Sequence, residues 1–117
     1  MVIDLTYLRN MAAGNKDLML EMIGIFESQT KEFSLEMDKL LQSKEYELLG
    51  KLAHKAKSSI SIMGMDELAK DLKSFENLAK AGAEVDKYPE FIHKFKSETT
   101  EAVKELSEIS ENIELYI

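Results

Sequence analysis

Apolar residues along this chain return at steps of three and four, the spacing of one face of a helix. From Lys16 to about Ser43, the positions Leu18, Met22, Ile25, Phe26, Phe33, Met37, Leu40 and Leu41 keep that step and predict one long helix. Before it, Asp4 to Met11 predicts a short helix with Asp4 as N-cap, ended by Ala13-Gly14-Asn15. After the polar break Gln42-Ser43-Lys44, a third helix runs from about Glu45 to Met63, with Gly64 in the place of a C-terminal glycine. Asp66 is placed to cap a fourth helix that reaches about Ala81 and closes at Gly82. The last helix begins between Asp86 and Pro89, and its stripe is Phe91, Ile92, Phe95, Val103, Leu106, Ile109 and Ile113. No stretch alternates in the manner of a strand. Four amphipathic helices on short connections predict an all-α fold: an antiparallel up-down four-helix bundle with a short extra N-terminal helix, one domain over residues 1–117.

Composition narrows the function classes. The chain has no cysteine, which removes disulfides, thiolate catalysis and cysteine zinc sites. Its N-terminus carries an early acid and no basic region, unlike a signal peptide, and no apolar run is long enough for a bilayer; the expectation is a cytoplasmic protein without membrane insertion. A net charge of −7 argues against nucleic acid as a partner. The charge is uneven, however. Residues 51–80 hold six lysines against four acids, a local +2 that leaves −9 on the rest. Such a patch suits a phosphoryl group or an acidic partner surface, and equally an ordinary solvated face.

The third helix places its histidine apart from the core. At about 100° per residue, Leu48, Leu49, Ala56, Ser59 and Met63 fall within about 60° of Leu52, whereas His54 falls at about 200°. On the side of His54 lie Gly50, Lys57, Ser58 and Ser61, mostly small residues that leave the ring open to another protein. Neutral imidazole is a nucleophile near neutral pH, and phosphoryl transfer needs positioning and charge more than elaborate covalent machinery. Lys57, one turn on, can place an ammonium beside incoming oxygens, and Ser58 can donate a hydrogen bond. On the wheel alone, an ordinary surface histidine is the simpler reading.

The stretch from Ala53 to Gly64, followed by Leu68, Phe75-Glu76 and Lys80, resembles the signature of histidine-containing phosphotransfer (HPt) domains. That family places a small residue before a histidine, then a lysine three on, a small residue four on, a glycine ten on, a leucine fourteen on and a hydrophobic-acid pair near twenty-one and twenty-two. His54, Lys57, Ser58, Gly64, Leu68, Phe75 and Glu76 occupy those positions, and the opening from Asp4 to Arg9 with Gly14-Asn15 is also similar. The chain departs at Ala56, smaller than the usual leucine or isoleucine, and at Ser58, where glycine is commoner. In some members a glutamine twenty-two after the histidine contacts the phosphorylation site; here that position is Glu76, common in the family, an acid that would not stabilise a phosphate electrostatically.

The resemblance implies a phosphorelay intermediate. His54 would accept a phosphoryl group from a receiver-domain aspartate and pass it to another receiver, reversibly. Lys57, Ser58 and Lys80 would support the phosphoryl group, and Gly50, Ser61 and Gly64 would allow close approach. The partners would be response-regulator receiver domains and a hybrid sensor histidine kinase. No cofactor is implied for this chain, since Mg²⁺ belongs to the receiver, and no kinase or ATP-binding activity; a monomer is expected. An apolar patch beside His54, rimmed by lysines, would form the docking surface.

Other readings are weaker. Glu90-x-x-His93 is half of a di-iron bundle motif, but Lys51 stands where the second pair needs a glutamate, so His93 reads as a solvated residue and no metal is expected. Met22, Met37 and Met63 read as core, and Met11, Met19 and Met65 as lying near helix ends or off the stripe. Of Ile60 and Ile62, one is expected to stay partly exposed. A helical adaptor without phosphotransfer is the alternative. An enzyme acting alone is less favoured, because no base, acid and nucleophile converge and neither histidine has a partner carboxylate one turn away on the His54 side.

Overall fold

The computed structural model describes residues 2–117. Its helices are α1 (Thr6–Ala12), α2 (Lys16–Gln42), α3 (Tyr46–Ile62), α4 (Asp66–Ala81) and α5 (Tyr88–Glu111), with 3₁₀ turns at Val85–Lys87 and Ile113–Leu115. No strand occurs among the described residues. Helices α2 to α5 close a ring in which α2 packs on α3 and α5, and α4 packs on the same two, while α1 lies against α2. The result is the expected four-helix bundle with a short N-terminal helix. It is 45 Å long and 20 Å across. At 1.5 Å per residue, the 27 residues of α2 span about 40 Å, nearly the whole length.

Local chemistry sets the ends. Asn15 caps α2, its Oδ1 accepting from the Leu18 N–H at 3.0 Å. Asp4, expected as the N-cap of α1, lies one residue before that position, which Leu5 occupies. Its Oδ1 accepts from the Thr6 N–H at 2.9 Å and from the Thr6 hydroxyl at 2.6 Å, which holds the carboxyl below its ordinary range. Asp66 is the first residue of α4 rather than its cap, where its charge faces the helix N-terminus. After α3, the Met65 N–H bonds to the Ile60 carbonyl and the Gly64 N–H to that of Ser61, a Schellman ending with Gly64 at φ +68°.

The buried stripes differ from the expected ones by about one position in places. On α2, Met19 and Ile23 are buried, while Leu18 and Ile25 are exposed and Met22 is half-buried. Met65 is buried too, as are Met37 and Met63, and Ile60 is buried while Ile62 is half-buried. On α3 the buried face is Leu49, Gly50, Ala53, Ala56 and Ile60, which leaves Leu48 exposed. The cause is residue size. Gly50, Ala53 and Ala56 let α4 approach closely, and α3·α4 is the most extensive helix pair in the bundle.

Candidate functional site

The α3–α4 seam is where the site forms. Phe75 of α4 is fully buried, stacked on Phe91 with centroids 5.0 Å apart and against Tyr88 at 5.4 Å. The Tyr88 hydroxyl lies 2.8 Å from the Leu78 carbonyl and 2.7 Å from that of Ala83, which ties the end of α4 to the start of α5. Anchored in this way, α4 turns its next residue, Glu76, toward α3. A Cβ on Gly50 would lie 3.0 Å from the Lys80 backbone nitrogen and 3.1 Å from the Glu76 carbonyl, so only glycine permits this approach.

His54 faces outward from this seam, its side chain 58% exposed, and its Nδ1 lies 3.1 Å from Glu76 Oε1. The Glu76 side chain is only 4% exposed. A carboxylate buried that far needs compensation. Lys80 supplies it, with Nζ 2.6 Å from Oε2, and Lys73 Nζ stands 3.8 Å from Oε1. The Lys80 hydrogen bond, followed by that of His54 and the charges of His54 and Lys73, outweighs burial and holds the carboxyl at about 2. At neutral pH Glu76 is therefore ionised and accepts hydrogen bonds only. The proton between it and His54 must sit on Nδ1. Nε2 is then the unprotonated nitrogen of the neutral ring, with its lone pair available.

The sequence-derived residues divide into two groups. His54, Ser58 and Ser61 are exposed as the wheel places them, and Lys57 is half-buried. Lys80 does reach the site, but as the partner of Glu76. Gly50 is not on the open face. It lies buried beneath α4, because the wheel was centred on Leu52 while the true buried face turns toward the small residues. Gly64 is ten residues from His54 and half-buried against the chain's own N-terminal segment. A Cβ there would lie 2.6 Å from both the Cβ and the carbonyl oxygen of Asp4, whose N–H bonds to the Met63 carbonyl. Both close approaches are thus internal.

Glu76 as the orienting group of His54 is what sequence reasoning missed. A carboxylate one turn away would lie on α3 itself, whereas this partner comes across the seam from α4. The signal present was the offset of twenty-two residues. On the α2 side of α3, the half-buried Met22 and Ile62 and the exposed Ile25 line an apolar cleft, where Ser59 Oγ donates to Gln29 Oε1 at 2.7 Å. His93 is exposed on α5, and among the described residues no three metal-binding side chains gather. No helix among them is long and apolar enough to cross a membrane.

Fold and site together are a four-helix bundle that presents an outward histidine, its Nδ1 hydrogen-bonded to a buried carboxylate of the neighbouring helix. The model of the Hpt domain family matches residues 21–114, and the chain belongs to that family. Its place is in histidine phosphotransfer within phosphorelay signalling, where Hpt domains are phosphocarrier modules that interact with receiver domains and kinases. No curated protein and no solved structure matches the chain.

Proposed function

We propose that His54 accepts a phosphoryl group from the aspartyl phosphate of a receiver domain and returns it to the aspartate of another. The Nε2 lone pair attacks phosphorus as the bond from phosphorus to the aspartate oxygen breaks, and the carboxylate leaves with that electron pair. The Nδ1 proton stays on the ring, facing Glu76. In the reverse step a receiver carboxylate attacks and the P–N pair returns to Nε2. The single observation that carries this reading is the 3.1 Å contact of His54 Nδ1 with the buried Glu76 carboxylate on a side chain that is 58% exposed, an arrangement that favours the proton on Nδ1 and so leaves Nε2 as the nucleophile.

The Mg²⁺ used in the step is assigned to the receiver, and the energy to its aspartyl phosphate, so the chain carries the group without making it. Lys57 is assigned to the phosphoryl oxygens and Ser58 to a hydrogen bond beside them. The receiver is taken to dock over Met22, Ile25 and Ile62, with Lys57 and Lys73 at the rim. The carrier is assigned as a cytoplasmic monomer.

The test is incubation with a panel of phosphorylated receivers. Acid-labile, base-stable phosphate is expected on the parent and none on His54→Gln. Ser58→Trp is expected to fold and to block loading by filling the space beside the ring. No transfer from any receiver would contradict the carrier reading and leave the adaptor.

A further inference from the structure

The register of α3 against α4 brings one more cation to this site. Gly50 meets the Lys80 backbone and His54 meets Glu76, and the residue numbers in the two pairs add to the same total. Antiparallel helices keep that total along their seam. One turn beyond His54 it sets Lys57 of α3 opposite Lys73 of α4. The position of the Lys73 ammonium agrees, since it lies 3.8 Å from the same Glu76 oxygen that His54 Nδ1 holds.

The three lysines are held differently. Lys80 is fixed at 2.6 Å on the buried carboxylate, so moving it would strip Glu76 of its main partner. Lys73, at 3.8 Å, is beyond hydrogen-bond range with its side chain 53% exposed, and leaving Glu76 costs it little. Lys57 forms no ion pair among the described residues. Three ammonium groups against one carboxylate leave two positive charges in excess beside the ring. A phosphoryl group carries about −1.5 to −2 near neutral pH, so it balances that excess.

We infer that Lys73 is a second phosphoryl-contacting lysine, supplied by α4 opposite Lys57, and that Lys80 acts only through Glu76. This rests on the proposed loading of His54. Lys73 keeps its protons throughout; it exchanges a loose contact with Glu76 for one with a phosphoryl oxygen.

The test loads parent, Lys73→Met, Lys73→Arg and Lys70→Met from the same phosphorylated receiver and follows the phosphohistidine ³¹P resonance against pH. An adjacent ammonium favours the more charged phosphoryl form. Lys73→Met is expected to raise the phosphoryl titration midpoint by about half a pH unit and to slow loading about three- to tenfold. Lys73→Arg restores both, and Lys70→Met, one turn away and facing Glu67, changes neither. If the parent loads and Lys73→Met titrates and loads like it, the assignment of Lys73 is wrong while the carrier reading stands. If the parent never loads, both fall together.

Discussion

Gly50→Ala probes the α3–α4 seam most sharply when paired with Gly24→Ala. Both glycines sit inside helices, so each alanine should gain about 1 kcal/mol of helix propensity. At Gly24 an added Cβ meets nothing within 4 Å, and the gain should appear in full. At Gly50 the same Cβ would lie 2.8 Å from Lys80 Cγ, 3.0 Å from its backbone nitrogen and 3.1 Å from the Glu76 carbonyl. Favourable carbon contacts sit near 3.5–4.0 Å, so α4 must move out by several tenths of an ångström. Overpacking of that kind costs about 1–3 kcal/mol, which cancels or exceeds the propensity gain. The two variants should therefore differ by about 1–3 kcal/mol, with Gly24→Ala above the parent and Gly50→Ala level with or below it. Urea and thermal unfolding followed by circular dichroism measure this, and each kcal/mol should move Tm by roughly 3–6 °C at this size. Gly50→Ala should also slow phosphoryl loading, because the displaced helix carries Glu76. Equal stabilisation by both alanines would refute the close approach, and with it the geometry that brings Glu76 to His54.

Glu76→Gln should change how stability depends on pH. The carboxyl titrates at about 2 in the fold against an ordinary 4.5, so the unfolded chain binds the proton more readily. The resulting stabilisation is complete above about pH 4.5 and is lost as pH falls toward 2. Its ceiling is about 3 kcal/mol, and water around the half-exposed Lys80 and Lys73 reduces it to about 1–2 kcal/mol. Parent and Glu76→Gln unfolding curves should separate at pH 7 and converge by about pH 2; a gap unchanged between those pH values would contradict the ionised, lysine-bound carboxylate. Lys44 holds φ +57° at the end of α2, where its N–H and that of Glu45 bond back to Leu41 and Leu40. Lys44→Gly should raise stability by about 0.5–1 kcal/mol in the same unfolding assay, and a loss would show that the left-handed residue is not strained.

Helix existence and order, and the ends to within a residue or two, were legible because glycines and the three-four step act locally, although Asp4 and Asp66 each lie one residue from the N-cap position. Helix rotation was less so. On α3 the apolar wheel centres near Leu52, yet burial follows Gly50, Ala53 and Ala56, whose small size lets α4 come close at the expense of Leu48. The same rotation on α2 buries Met19 and Ile23 in place of Leu18 and Ile25. The outward placement of His54 was legible, since a histidine opposite the core faces water however its helix is turned by a few tens of degrees. Its orienting carboxylate was not, because a buried glutamate is tolerable only once Lys80 and His54 meet it, and His54 does so only across the packed seam. Lys80 shows the same limit. The family spacing marks it as near the site, and the tertiary contact gives it to Glu76.

Which imidazole nitrogen of His54 is free decides how it can meet a phosphoryl group. Long-range ¹H–¹⁵N correlation spectra of the histidine-labelled protein at neutral pH, before and after loading from a phosphorylated receiver, read this directly. The expected result is His54 with its proton on Nδ1 and a bare Nε2 before loading, and phosphorus bonded to Nε2 afterwards with Nδ1 still protonated. A proton on Nε2 in the unloaded protein, or phosphorus on Nδ1 after loading, would contradict the role given to Glu76 and the orientation of the nucleophile.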